Sequence, residues 1–126
     1  MIQIGKIFRF EAAHSLPHHK GKCKHLHGHR WELEVRITGR VKIGKNAEEN
    51  GNIGMIMDFG DLKKAVQHII DSHDHRHLND VYANPTAETM VEAIAEKIEA
   101  LLPNDATTLD MIKLWESEDN YAIWRP

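Results

Sequence analysis

Between His27 and Ile43 the chain alternates more clearly than anywhere else. Trp31, Leu33, Val35 and Ile37 occupy the odd positions and Arg30, Glu32, Glu34 and Arg36 the even ones. A period of two marks a strand with one face on a core and the other turned outward. This strand is predicted from about His29 to Ile43. Another, from Ile2 to Ala13, is β-branched and aromatic with near-alternation. A loop with Pro17 and Gly21 separates the two.

The period then changes to 3.6. Leu62, Ala65, Val66, Ile69 and Ile70 stand at i, i+3, i+4, i+7 and i+8, an amphipathic helix that Asp58 can cap and whose first turn holds Asp61. It is expected to end within 73–80. A second helix carries Met90, Val91, Ile94, Ala95, Ile98, Leu101 and Leu102, with Asn84 as cap, Pro85 in the first helical position and Pro103 as the stop. Residues 44–52 read as a polar loop and Ile53 to Met57 as a short apolar piece. Thr107 to Trp115 reads as a strand of poor alternation, and Tyr121 to Trp124 as a last strand after the turn 117–120.

The order is β-β-α-α-β-β. It predicts an α+β fold, a single domain over residues 1–126, with a four-stranded antiparallel sheet covered by two helices on one face. The face carrying Arg30, Glu32, Glu34 and Arg36 then needs water or a partner subunit, and the sheet edges stay open. Both features point to a homo-oligomer.

Composition changes this picture little until the histidines. With 126 residues and a formal charge of −3, nothing implies nucleic acid or a membrane surface as partner. No stretch approaches the ~18 apolar residues of a membrane span. A single cysteine excludes an intrachain disulfide and suits a reducing compartment. The start of the chain shows no secretory signal pattern, so a cytoplasmic protein is expected.

Ten histidines, spread from His14 to His77, are the outlying number. His27 and His29 are two apart in an extended segment and share a face. His14 lies in phase with Phe8, Phe10 and Ala12 on the first strand. If the strands pair antiparallel, three imidazoles converge at one end of the core face. Three neutral imidazoles with a fourth position open suit a catalytic zinc rather than a closed structural one.

Four further features carry chemistry beside a plainer reading. Cys23 lies among Lys22, Lys24 and His25, cationic neighbours that favour a thiolate; a catalytic thiol, a fourth zinc ligand and simple packing stay open. In His73-Asp74-His75-Arg76-His77 the residues suit a solvated helix C-terminus, and Asp74 with His75 equally suits a proton-transfer dyad. Glu116 ends a strand, where a carboxylate is usually inert, yet it can accept two parallel hydrogen bonds from an amino-heterocycle. Lys20, Lys22 and Lys24 are a solvated loop or the charge that a polyphosphate meets.

Taken together, these residues resemble the 6-pyruvoyltetrahydropterin synthase family, of the tunnelling fold. The resemblance rests on Phe10-Glu11-Ala12-Ala13-His14, Cys23 through His29, Met57-Asp58-Phe59, Asp74-His75 with Leu78-Asn79, Pro85-Thr86-Ala87-Glu88 and Trp115-Glu116. The three residues between Cys23 and His27-Gly28-His29 match the spacing of its 6-carboxytetrahydropterin synthase branch, of the queuosine pathway. The resemblance implies zinc on His14, His27 and His29, proton transfer by Cys23, Asp74 and His75, and a pterin ring held by Glu116 with help from Thr86. It implies a hexamer of two stacked trimers with sites at subunit interfaces. The implied reaction turns 7,8-dihydroneopterin triphosphate into 6-carboxy-5,6,7,8-tetrahydropterin, acetaldehyde and triphosphate. Two local departures are His73, where the family often has an apolar residue, and the acidic turn Glu116-Ser117-Glu118-Asp119. Alternatives are 6-pyruvoyltetrahydropterin formation, side-chain cleavage of sepiapterin or dihydroneopterin, a non-catalytic zinc- or pterin-binding protein, and a small zinc hydrolase, which has no use for Glu116 or Cys23.

Overall fold

A computed structural model describes residues Met1–Pro126. The first two strands, β1 (Ile2–His14) and β2 (His27–Gly39), pair antiparallel along their whole length, from Ile2 opposite Gly39 to His14 opposite His27. Helix α1 (Lys45–Glu49) and helix α2 (Phe59–His73) follow, then a two-residue strand β3 (Arg76–His77), helix α3 (Ala87–Leu101), β4 (Thr108–Trp115) and β5 (Tyr121–Trp124). The sheet runs β3-β1-β2-β4-β5. All pairs are antiparallel except β1 with β3.

The fold is α+β as the patterning predicts, with corrections. The sheet has five strands rather than four, because Arg76 and His77 dock parallel beside Ala12 and Ala13; two residues are too short for any periodicity to announce. The second strand covers His27–Gly39, not His29 to Ile43. It stops where Gly39 meets Ile56: a Cβ on Gly39 would lie 2.7 Å from Ile56 Cγ2. The expected polar loop 44–52 contains the short α1, which follows Gly44 at φ 89° and buries Ala47.

The poor alternation of the fourth strand has a cause. Arg36 faces Met111 while Ile37 faces Leu109, so the register slips at Asp110 and Met111 and Ile112 are both buried. An extra residue in one strand breaks the period of two.

Asp58 caps α2 as predicted, its Oδ1 accepting from the amides of Gly60 (2.7 Å) and Asp61 (3.3 Å). The cap of α3 is Thr86, not Asn84: its Oγ1 accepts from the Thr89 amide at 3.2 Å. Asn84 serves through its carbonyl, which accepts from Thr86 N and Thr89 Oγ1, so Pro85 precedes the helix instead of opening it. The buried stripes of α2 and α3 close over Phe8, Phe10, Trp31, Leu33, Val35, Ile37, Leu109, Ile112 and Leu114 in one core. Leu101, placed in the stripe, is exposed at the last turn. The opposite face carries ion pairs, Arg9 with Glu32 and Arg36 with Glu34, and Lys113 sits 4.0 Å and 3.9 Å from the ring centroids of Trp115 and Tyr121.

His73 departs from the reading of a solvated, dipole-favoured helix end, because it is 1% exposed. Its Nδ1 donates to the Ile69 carbonyl at 2.6 Å, and its Nε2 accepts from the Tyr82 hydroxyl at 2.6 Å. Burial holds the imidazole below its usual pKa and pushes Tyr82 up to about 12. The unfolded chain therefore binds more protons than the folded one just below the ordinary histidine pKa, and stability falls as pH drops through that window. One such group contributes at most about 1.4 kcal/mol per pH unit. Urea melts between pH 7.5 and 5 are expected to show a steeper loss in the native chain than in His73→Leu; equal slopes would contradict a neutral His73.

Candidate metal centre

Because β1 and β2 pair in register to their ends, His14 and His27 face each other across the ladder and His29 follows on the same face. Their ring centroids lie 4.6, 5.2 and 4.8 Å apart. The rings rest on Trp31, whose centroid is 5.1 Å from that of His14 and 5.7 Å from that of His29. Trp31 is itself pinned by its indole N–H to the Ala12 carbonyl. The convergence expected from spacing alone is present.

The tautomers are arranged for ligation. His14 Nδ1 stands 2.8 Å from the Pro85 carbonyl and His27 Nδ1 2.7 Å from the His25 carbonyl. A carbonyl only accepts, so Nδ1 carries the proton and each Nε2 presents a lone pair. His14 Nε2 and His29 Nε2 are buried without a hydrogen-bond partner, a costly state that a cation would relieve. Burial, with the neighbouring imidazoles, lowers the pKa of His29 against the opposing pull of Glu116, so a neutral, metal-ready ring is favoured.

Glu116 completes the group. One donor atom each from His14, His27, His29 and Glu116 lies within 4.8 Å of every other. Glu116 Oε1 is 3.3 Å from His29 Nε2. The carboxylate gets there because β4 pairs with β2 up to Trp115 opposite Glu32, and the Glu116 amide then donates to the Asn120 carbonyl in the turn. Nothing local in the sequence announced this partner. Nitrogen and carboxylate donors in this ratio suit zinc, and the geometry admits it.

Asp74 and His75 also meet, with His75 Nδ1 3.0 Å from Asp74 Oδ1. They are locked to β1: the Glu11 amide donates to Asp74 Oδ1 at 2.9 Å and the His75 amide donates to the Glu11 carbonyl at 2.6 Å. The Glu11 amide, with His75, holds the Asp74 carboxyl below the usual carboxylate range. His75 has φ 56°, an uncommon backbone for a residue with a Cβ. His75 and His29 are both among the residues lining one open cleft of about 570 Å3, which Asp74, His14, His27 and Glu116 do not line. Asn79 clamps the chain beyond His14, taking the Ser15 amide and giving to the Ser15 carbonyl, both at 2.9 Å.

Other expected residues stand apart. Cys23 sits half-buried in the turn Lys22–Lys24, its carbonyl accepting from the Leu16 amide; it is not among the four clustered donors. The Thr86 hydroxyl is engaged with Thr89, next to the Pro85 carbonyl that orients His14. Lys20, Lys22 and Lys24 are exposed and do not line the cleft of His29 and His75. The arginines that do are Arg30, expected on the face left to water or a partner subunit, and Arg76, expected at a solvated helix end.

The sequence profile of the 6-pyruvoyl tetrahydropterin synthase family matches residues 3–126. The chain belongs to this family. It is 41% identical over 100 residues to a 6-carboxy-5,6,7,8-tetrahydropterin synthase of Synechocystis sp., covering 76% of this chain and 74% of that one. It is 36% identical over 110 residues to a dihydroneopterin monophosphate aldolase of Pyrococcus furiosus, covering 87% and 85%. The fold matches the 6-pyruvoyl tetrahydropterin synthase of Caenorhabditis elegans with a TM-score of 0.82 at 24% identity, over 99% of this chain and 95% of that one. The family and its tunnelling fold, expected from the motifs, are therefore those of this chain. No helix is long and apolar enough to cross a membrane.

Proposed function

We propose that this chain is a zinc-dependent carbon–carbon lyase, a 6-carboxy-5,6,7,8-tetrahydropterin synthase. It acts on 7,8-dihydroneopterin triphosphate and, with uptake of one water, forms 6-carboxytetrahydropterin, acetaldehyde and triphosphate, in queuosine and 7-deazapurine biosynthesis. The observation that carries this reading is the clustering of His14, His27 and His29 at the paired ends of β1 and β2, with the Asp74–His75 pair bonded to Glu11 of the same strand β1. Zinc on His14, His27 and His29 supplies Lewis acidity to side-chain hydroxyls of the substrate. His75 exchanges protons from one side, with Asp74 fixing its ring through Nδ1. Cys23 serves as the second proton-transfer group from its loop. Glu116 accepts the amino and ring N–H groups of the pterin, and Thr86 assists beside it. Redox is internal to the substrate, so no nicotinamide is needed.

We assign the protein to the cytoplasm, consistent with its single cysteine, and to a homo-oligomer of stacked trimers with sites at subunit interfaces. The uncovered, charge-paired sheet face and the short edge strands β3 and β5 support that assembly.

The second reading is side-chain cleavage of dihydroneopterin or its monophosphate, favoured by the aldolase relative at comparable identity. Anaerobic incubation of zinc-loaded protein with the triphosphate and with the monophosphate separates the two. Acetaldehyde together with a 6-carboxytetrahydropterin mass is expected. A retro-aldol product from either substrate moves the protein to the second reading, a 6-pyruvoyl product to the sister synthase. No turnover with metal bound overturns the enzyme reading for these substrates.

A further inference from the structure

The notable feature of Glu116 is how it approaches His29. Oε1 is 3.3 Å from Nε2, yet that nitrogen has no hydrogen-bond partner. The two atoms are near each other without being aimed at each other. Two donors each about 2.0–2.1 Å from one tetrahedral ion stand about 3.3 Å apart. Drawing the remaining donors, none more than 4.8 Å from another, to that spacing is a side-chain adjustment of about an ångström or a little more. The carboxylate also lowers the net charge of an ion held otherwise by neutral imidazoles, in a group where the flanking side chains of His29 and Glu116 are only 22% and 25% exposed.

We infer that Glu116 is an exchangeable fourth ligand: it closes the metal site while the cleft is empty and leaves the metal when a 2-amino-4-oxo heterocycle takes the carboxylate. The inference rests on the pterin reading above. Recognition of an amino group and its neighbouring ring N–H takes both carboxylate oxygens in one plane. A carboxylate with one oxygen on the metal offers at most the other. Ring recognition and metal ligation therefore compete for the same side chain, and binding of the ring uncovers the coordination position for the hydroxyls it carries. Before the ring arrives, that position is closed to adventitious ligands.

The competition has a sign that can be measured, since two ligands linked through one group weaken each other equally. The probes are pterin with no side chain at carbon 6, which has no hydroxyls to replace the carboxylate, and neopterin, which has them. Pterin fluorescence titrations are expected to show side-chain-less pterin binding about tenfold or more weaker to the zinc-loaded protein than to the metal-free protein. Neopterin is expected to show no such loss. Separately, Glu116→Gln is expected to lower Co2+ affinity on the order of 100-fold and to change the visible cobalt spectrum, while Glu118→Gln, in the adjoining turn, leaves both as they are.

Side-chain-less pterin that binds equally well, or better, with metal present overturns the exchange. Unchanged cobalt affinity and spectrum in Glu116→Gln, in a variant whose circular dichroism matches the parent, removes the carboxylate from the coordination sphere and overturns it too. If neither pterin nor neopterin binds in any metal state, the pterin reading fails and the exchange with it. The cobalt titration would then still show whether Glu116 is a metal ligand.

Discussion

His27→Ala is expected to weaken divalent-metal binding on the order of 100-fold and to lose turnover, while leaving the fold in place. Structural zinc sites are worth about 10–16 kcal/mol over four ligands, so one ligand carries about 3 kcal/mol, or roughly 100-fold in affinity. Two imidazoles and a carboxylate remain, a donor set that still takes zinc, so the effect is read as a shift in affinity and not as an absence of metal. His27 is the better choice for this test than His14. His14 is fully buried and bonded to the Pro85 carbonyl, so its removal opens a cavity and unties the lead into α3. His27 is half-buried and tied only to the carbonyl of its neighbour His25. Metal affinity by titration, circular dichroism and turnover on the triphosphate substrate form the readout. Unchanged affinity in a metal titration of folded His27→Ala would refute the three-histidine centre.

Cys23→Ala is expected to do something different: keep the metal and lose the reaction. A positioned proton-transfer group contributes about 10²–10⁴-fold to rate, and a loss of that size in kcat is expected with metal stoichiometry unchanged. Folding is little affected, because the contact that seats the turn is made by the Cys23 carbonyl to Leu16 and survives the substitution. The sulfur stands outside the four-donor cluster, which is why the two variants separate so cleanly. Retention of activity within twofold would remove Cys23 from the chemistry and leave the Asp74–His75 pair as the only proton-transfer group. Loss of metal in Cys23→Ala would instead make the thiol a ligand.

What a sequence shows of such a protein depends on how local each determinant is. The alternation of Trp31 through Ile37 and the stripe from Leu62 to Ile70 are set by the geometry of one strand and one helix, so both were legible without tertiary information. The convergence of His14, His27 and His29 needed only one further step, the antiparallel pairing of two consecutive strands across the connection 15–26. Asp58 was readable as a cap because capping is a matter of three residues. The cap of α3 was misplaced for the same reason in reverse: Asn84 and Thr86 are both good caps. In the folded chain Thr86 takes the role with its hydroxyl, and Asn84 bonds through its carbonyl instead.

Only the tertiary structure decided the rest. Two residues of β3 hold the sheet edge because Asp74 and His75 are bonded to Glu11, far away in the chain. His73 reads as a helix-end cation by its place in the sequence and is a buried ring, whose pKa burial in the core holds down against the opposing pull of the Ile69 carbonyl. Glu116, which the resemblance implies as the holder of a pterin ring, also stands among the histidines because β4 is hydrogen-bonded to β2. Periodicity and capping are written in adjacent residues, and they determined the elements and the meeting of the three histidines. Burial, charge state and the fourth donor depend on which elements pack together, and those were settled by the closing of the sheet.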